Sequence, residues 1–263
     1  MKLLLPQIRK SPVIDEIIFW VNTEDAEDIA WMAEQTDCRM LFLENNLPVD
    51  MHRLGSFWVT CDQQDTIYVK IDDDIVWIEP GAIDRLVQYR YENPKPFLVF
   101  PMILNNYMTS WLLQSRTDCF KDCPNFTRNP FCPNGWRNGD AAVQLHNEVL
   151  EKIDRGMVSD FKIAQPYTVD DYLRNSVNVI SWFGSDYPTI VKFQRGITNR
   201  EEPFVTTFIP MFLNRPVVFM NEAVFVHFAY FPQRPIVDAT DILQRYEKLS
   251  TSTHSELYHR GVT

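Results

Sequence analysis

Glycine is scarce in this 263-residue chain, with only 8. None falls in a phosphate-gripping loop of the P-loop or dinucleotide kind, so those two nucleotide-binding solutions are excluded. Positive charge is short as well: 25 Lys and Arg against 35 Asp and Glu leave a net charge of -10 and a pI near 5.0. That balance argues against a surface that tracks a nucleic-acid backbone. No apolar run approaches the length that crosses a bilayer, and the opening Met1 to Pro6 is too short for a secretory apolar segment, so no membrane span is expected. The five cysteines, Cys38, Cys61, Cys119, Cys123 and Cys132, are odd in number and irregularly spaced, which predicts reduced thiols and a cytoplasmic protein. Cys119, Cys123, Cys132 and His146 lack the paired CxxC knuckles of a zinc site.

What is present is apolar and aromatic material, 45% hydrophobic and 13% aromatic, enough to bury the core of one domain spanning 1–263. The rings either fill that core or stack on sugars and bases. Strands are predicted at 17–21, 40–43, 66–71 and 97–104, with helices over 23–35 and 80–91 between them. The alternation predicts an α/β fold. A Cys-, Pro- and Asn-rich stretch from Trp111 to Gly139 reads as a long, substrate-shaped loop. Beyond it come a helix over 141–152, strands at 177–182, 216–220 and 223–230, and a helix over 240–249 with Ile242, Leu243 and Tyr246 on one face.

The most informative run is Lys70-Ile71-Asp72-Asp73-Asp74-Ile75-Val76-Trp77, three consecutive carboxylates between two apolar runs. At the carboxyl end of a buried strand, like charges repel and desolvation raises their pKa values unless a cation or donors compensate. Open α/β sheets bind ligands at such strand ends, and oxygen ligands suit Mg or Mn. The plainer alternative is an exposed acidic turn after an edge strand.

The longer stretch from Lys70 to Ile83 closely resembles the DxD region of a group of GT-A glycosyltransferase-like proteins from microbes and fungi. Ile14-Asp15-Glu16 leading into Trp20-Val21-Asn22-Thr23 resembles that group's second strand. Ile180 to Gly184 and Val226 to Tyr230 resemble its later motifs. The resemblance implies a GT-A-like, Rossmann-type mixed sheet flanked by helices, with a nucleotide-sugar half over 1–110 and an acceptor half over 111–263. It implies that Asp74, Asp72 and His227 hold Mn2+ or Mg2+, with Asp72 and Asp73 contacting the donor and Arg234 its diphosphate. As a lone residue in an apolar strand, His227 would read as a core histidine. Relatives begin with a strand and nucleotide-holding loop for which Met1 to Lys10 is too short, so the usual first strand is expected to be lacking.

The same resemblance implies metal-dependent transfer from a nucleotide-sugar donor, a UDP-sugar in the first instance, to a hydroxyl acceptor: a glycan, protein, small molecule or modified base. Inversion requires a base for the acceptor proton. Glu202, in Arg200-Glu201-Glu202-Pro203, matches the family's acidic helix start, although Arg200 stands where relatives often carry another acid. Glu201 and Asp186 are substitutes, and Trp182 and Asp186 are candidates for shaping the acceptor site. From the residues alone, ordinary helix-start electrostatics explains Glu201 and Glu202 better than catalysis does, and the resemblance brings the two readings level. A non-catalytic protein binding sugar nucleotide or a partner chain is the alternative function. Nucleotidyl transfer is disfavoured by the lack of a basic loop near the first strand.

Overall fold

The computed structural model describes residues 1–43 and 51–251. The chain opens with a short helix α1 (Leu5–Ile8) and then strand β1 (Ile17–Trp20). Helix α2 (Ala26–Ala33) starts later than its acidic residues suggest, because Asp25 rather than Thr23 is the cap: its Oδ1 accepts from the amides of Glu27 at 2.8 Å and Asp28 at 3.2 Å. Strand β2 (Cys38–Leu41) follows, pairing in parallel with β1. Among the described residues this pair is not hydrogen-bonded to the larger sheet.

Next come α3 (Met51–Ser56), β3 (Ile67–Ile71), β4 (Ile75–Ile78), α4 (Ala82–Glu92) and β5 (Val99–Leu104). Then α5 (Tyr107–Arg116), α6 (Pro133–Trp136), α7 (Gly139–Asp154), β6 (Tyr167–Val169) and β7 (Val179–Phe183) follow. The chain continues through α8 (Tyr187–Asn199) into α9 (Glu201–Pro203), a π-helical turn (Phe204–Phe208) and α10 (Ile209–Leu213), which form one uninterrupted helix from 201 to 213. It ends with β8 (Val217–His227), α11 (Arg234–Val237) and α12 (Ile242–Thr251).

The larger sheet has six strands, in the order β3-β7-β5-β8-β4 with β6 beside β8. The fold is therefore mixed α/β, with helices flanking a mixed sheet. Its central strand β5 is buried at every position, as expected where both faces are covered. Strands from either side of residue 110 alternate across the sheet, so the two halves share one core. The predicted strands 216–220 and 223–230 are one strand: β8 continues through the break, and its register against β5 jumps from Phe100↔Phe219 to Met102↔Val224. The extra residues include exposed Glu222, and a bulge of this kind bends a strand without ending it.

Aromatic rings link the two sheets where hydrogen bonds do not. Trp20 stacks on Phe57 at 5.3 Å, Trp58 meets Trp182 at 4.6 Å, and Tyr68 stacks on Trp182 at 5.4 Å. Trp182 is thereby a core residue and not part of an acceptor surface. The stretch after Trp111 also differs from expectation: the helix runs on to Arg116, and Cys119, Phe120, Cys123 and Phe126 of the following loop are buried. None of the five cysteines is in a disulfide. His146 is held in the core between the Tyr246 hydroxyl at 3.0 Å and the Phe228 carbonyl at 2.7 Å. No helix among the described residues is long and apolar enough to cross a membrane.

Candidate active site

Strand direction decides what meets at the site. β7 is antiparallel to both β3 and β5, and β8 is parallel to β5, so β3, β5 and β8 all run the same way. Their carboxyl ends share one edge of the sheet: Asp72 to Asp74 after β3, Asn105 and Asn106 after β5, and His227 closing β8. Ile75 pairs with His227 across the sheet, and the Phe228 amide donates to the Asp74 carbonyl at 2.9 Å. These backbone contacts fix the acidic turn against the histidine.

His227 is almost fully buried and both of its nitrogens are engaged. Nδ1 lies 3.0 Å from the Asn105 carbonyl and therefore carries a proton, while Nε2 is 3.0 Å from Asp74 Oδ2. Asn105 has a left-handed backbone, φ 60°, which an Asn accepts more readily than most residues. Its side chain holds that turn by donating to the Phe228 carbonyl at 2.9 Å and to Gln233 Oε1 at 3.1 Å. Burial lowers the basicity of His227, but the Asp74 charge and its hydrogen bond outweigh that and raise the pKa above the ordinary value. Burial likewise disfavours the Asp74 charge, yet His227 and Arg234 hold its pKa below the usual range.

Asp74 Oδ2 also faces Arg234 Nη2 at 3.9 Å. Asp74 Oδ1, in contrast, is buried with no hydrogen-bond partner. Asp72 is met by Lys70, which lies on the same face two residues earlier, and more distantly by Asn178 Nδ2 at 3.5 Å. Burial pushes Asp72 up to about 7; Lys70 opposes the shift, and Asp74 and Glu201 add to it. Lys70 is itself raised, its burial outweighed by Asp72. Asp73 is exposed and, with Asp74, Arg234, Phe228 and Trp31 of α2, lines a cavity of about 450 Å³.

A polar wall runs from Asp72 toward Glu202. The Tyr230 hydroxyl donates to Asn178 Oδ1 at 3.2 Å, and Asn106 Nδ2 donates to the same oxygen at 3.1 Å. Tyr107 donates to the Arg174 carbonyl, and Arg174 in turn grips Glu202, with Nε 2.8 Å from Oε2 and Nη2 on the same oxygen. Among the described residues Glu202 Oε1 accepts no hydrogen bond. The π-helical turn begins two residues later. Such turns recur at functional sites, and here Thr206 both donates to the Glu202 carbonyl, at 2.6 Å, and accepts from the Asn175 amide, at 3.1 Å.

Two sequence candidates are corrected. Glu201 is buried and its Oε1 accepts from Trp58 Nε1 at 2.7 Å, so it anchors the aromatic bridge. Asp186 follows β7, whose direction is opposite to that of β3, and sits at the far end of the sheet from Asp72. Both of its oxygens are taken by the Arg215 guanidinium, one at 3.1 Å. Both carboxylates are thus held in structural contacts. Lys70, Asn105, Asn106, Asn178, Tyr230, Arg174 and Trp31 were not anticipated. Lys70 alone had a legible signal, the period-two spacing that puts it on the Asp72 face.

Among the described residues no group of three His, Cys, Asp or Glu side chains forms a ready-made metal cage. A divalent ion bound with a phosphorylated substrate needs only one or two protein carboxylates, the substrate supplying the rest. The unpartnered Asp74 Oδ1 is an oxygen of that kind, so the donor set fits a substrate-completed site. Compared with models of known protein families and with curated proteins, the chain matches none.

Proposed function

We propose that this protein is a metal-dependent glycosyltransferase of the GT-A type that moves a sugar from a nucleotide-sugar donor, first among them a UDP-sugar, to a hydroxyl acceptor. The observation that carries the reading is Asp74. Its carboxylate is oriented by His227, faces Arg234, lines the cavity, and keeps one buried oxygen without a partner. Leaving such an atom unsatisfied costs about 1–3 kcal/mol or more, a cost that an arriving cation removes. The resemblance of the Lys70 to Ile83 stretch to the DxD region points the same way.

In this reading Asp74, with Asp72 beside it, holds Mn2+ or Mg2+, which supplies charge for the leaving diphosphate. Arg234 meets diphosphate oxygens through charge-assisted hydrogen bonds, and Trp31 offers a ring to the base. His227 is a positioning residue for Asp74, because Asn105 directs its Nε2 at the carboxylate. Glu202 Oε1 takes the proton from the acceptor hydroxyl as that oxygen attacks the anomeric carbon. Arg174, bound to Oε2, keeps the carboxylate turned toward the polar wall. The acceptor would lie between Glu202 and Asp72, against Tyr230 and Asn178, and attack there from the side opposite the diphosphate gives inversion.

A second reading, a non-catalytic sugar-nucleotide-binding protein, draws on one observation: Lys70 already meets Asp72, and Arg174 already meets Glu202. Incubation with UDP- and GDP-sugars and Mn separates the two. Release of the nucleoside diphosphate, suppressed in Glu202→Gln, is the outcome expected of a transferase. Nucleotide binding without release from any donor would favour the second reading.

A further inference from the structure

We propose that the surface formed by α8 and α10 docks peripherally on an anionic lipid bilayer. Val191, Phe208, Met211 and Phe212 are 43%, 48%, 54% and 54% exposed, although large apolar side chains in that number do not usually gather on a free surface. Phe208, Met211 and Phe212, at i, i+3 and i+4, share one face of their helix, and Val191 lies with Arg195 on the neighbouring outer face of α8. Phe212 meets Phe193 of α8 edge-on at 5.2 Å, and Phe208 meets Phe204 at 4.9 Å. Lys192 Nζ stands 4.2 Å from the Phe212 ring centre, and exposed Arg195 lies one helical turn beyond Val191.

Charge selects the partner. From Tyr187 to Asn221 the only carboxylates are Glu201 and Glu202; the first is buried against Trp58 and the second is held by Arg174. α8 and α10 themselves therefore carry no carboxylate, whereas Lys192 and Arg195 are exposed, on a chain of net charge -10. Exposed aromatics beside Lys and Arg that make no ion pair among the described residues suit an interface between acyl chains and anionic headgroups. Acidic residues elsewhere on the molecule oppose this only weakly, because at physiological salt their field is screened within about 8 Å. Glu202 begins the helix that carries the patch, about 14 Å from Met211 at 1.5 Å per residue. If the transferase reading holds, a headgroup-borne hydroxyl is within reach; the docking itself does not depend on that reading.

The test is co-sedimentation of the full chain with phosphatidylcholine vesicles and with mixed phosphatidylcholine–phosphatidylglycerol vesicles. Binding to the mixed vesicles alone, weakening as salt is raised, is expected. Lys192→Gln/Arg195→Gln should reduce it about thirty-fold, and Phe208→Ser/Phe212→Ser should abolish it, with circular dichroism unchanged because both rings are half exposed. Three results would overturn the proposal: no binding to either vesicle, binding that these variants leave intact, or a concentration-dependent dimer that Phe208→Ser/Phe212→Ser dissolves, which would assign the patch to a second copy. Nucleotide binding, measured on the same samples, reports separately on the donor site.

Discussion

Each end of the larger sheet carries a largely buried acid, and the two are treated oppositely. At the far end Asp186 gives both oxygens to Arg215, which also donates to the Lys95 carbonyl at 3.0 Å and the Pro96 carbonyl at 3.1 Å. The Asp186 charge is met by a built-in partner. At the near end Asp74 keeps a buried oxygen unmatched, and burial pushes Asp72 up to about 7. Two buried histidines repeat the contrast. His146 is pushed down to about 4 by burial, whereas the Asp74 charge raises His227 against the same burial. Acids that are equivalent in a composition count differ in whether the fold exhausts their lone pairs, and a cation-binding site needs the ones it does not exhaust.

The sharpest way to break the contrast is Glu202→Gln. Removing a general base lowers kcat by about 10²–10⁴-fold while UDP binding stays intact; a loss of UDP binding instead would put Glu202 in the donor site. Asp186→Ala should do the reverse. It strands the partly buried Arg215 and lowers stability by about 3 kcal/mol, read from urea unfolding, with nucleotide affinity unchanged. Weaker nucleotide binding at full stability would erase the distinction between the two ends.

The histidine contrast predicts a pH effect of similar size, confined to acid. With a folded pKa of about 4 against an unfolded value near 6.5, the unfolded chain takes up the His146 proton first. The associated stability is therefore present above about pH 6.5 and is lost as pH falls toward 4, about 3 kcal/mol in all. His146→Gln should flatten that slope in chemical unfolding measured across pH; an unchanged slope would locate acid sensitivity elsewhere. The smallest effect is expected at Trp31. Replacing it with Ala should weaken UDP binding by about tenfold if the ring stacks on the base, and leave binding unchanged if it does not.

The acidic run was legible because two apolar stretches bracket it, and that pattern locates a strand end without knowledge of the sheet. The α/β alternation was legible for the same reason. What the sequence hides is direction. Nothing in Ile180 to Asp186 says that β7 runs against β3, and that reversal alone carries Asp186 to the wrong end of the sheet. Glu201 and Glu202 are indistinguishable in sequence, yet the roughly 100° turn per helical residue sends one to Trp58 and the other to Arg174. The left-handed Asn105 that orients His227 depends on Gln233, 128 residues away, and no local pattern announces it. The continuous β8 escaped for a related reason: the polar pair Asn221-Glu222 looks like a turn, whereas pairing with β4 and β5 on either side carries the strand through it.

Asp74 holds a buried, unpartnered oxygen, and its proposed role is to meet a cation that arrives with a nucleotide. Calorimetric titration of the purified protein with UDP and with GDP, each with and without Mn, and again on Asp74→Asn, tests it directly. UDP binding that requires Mn and is lost in Asp74→Asn, a variant that preserves shape while removing the charge, is the expected result. Binding of equal strength without Mn, or binding unaffected by Asp74→Asn, would contradict it.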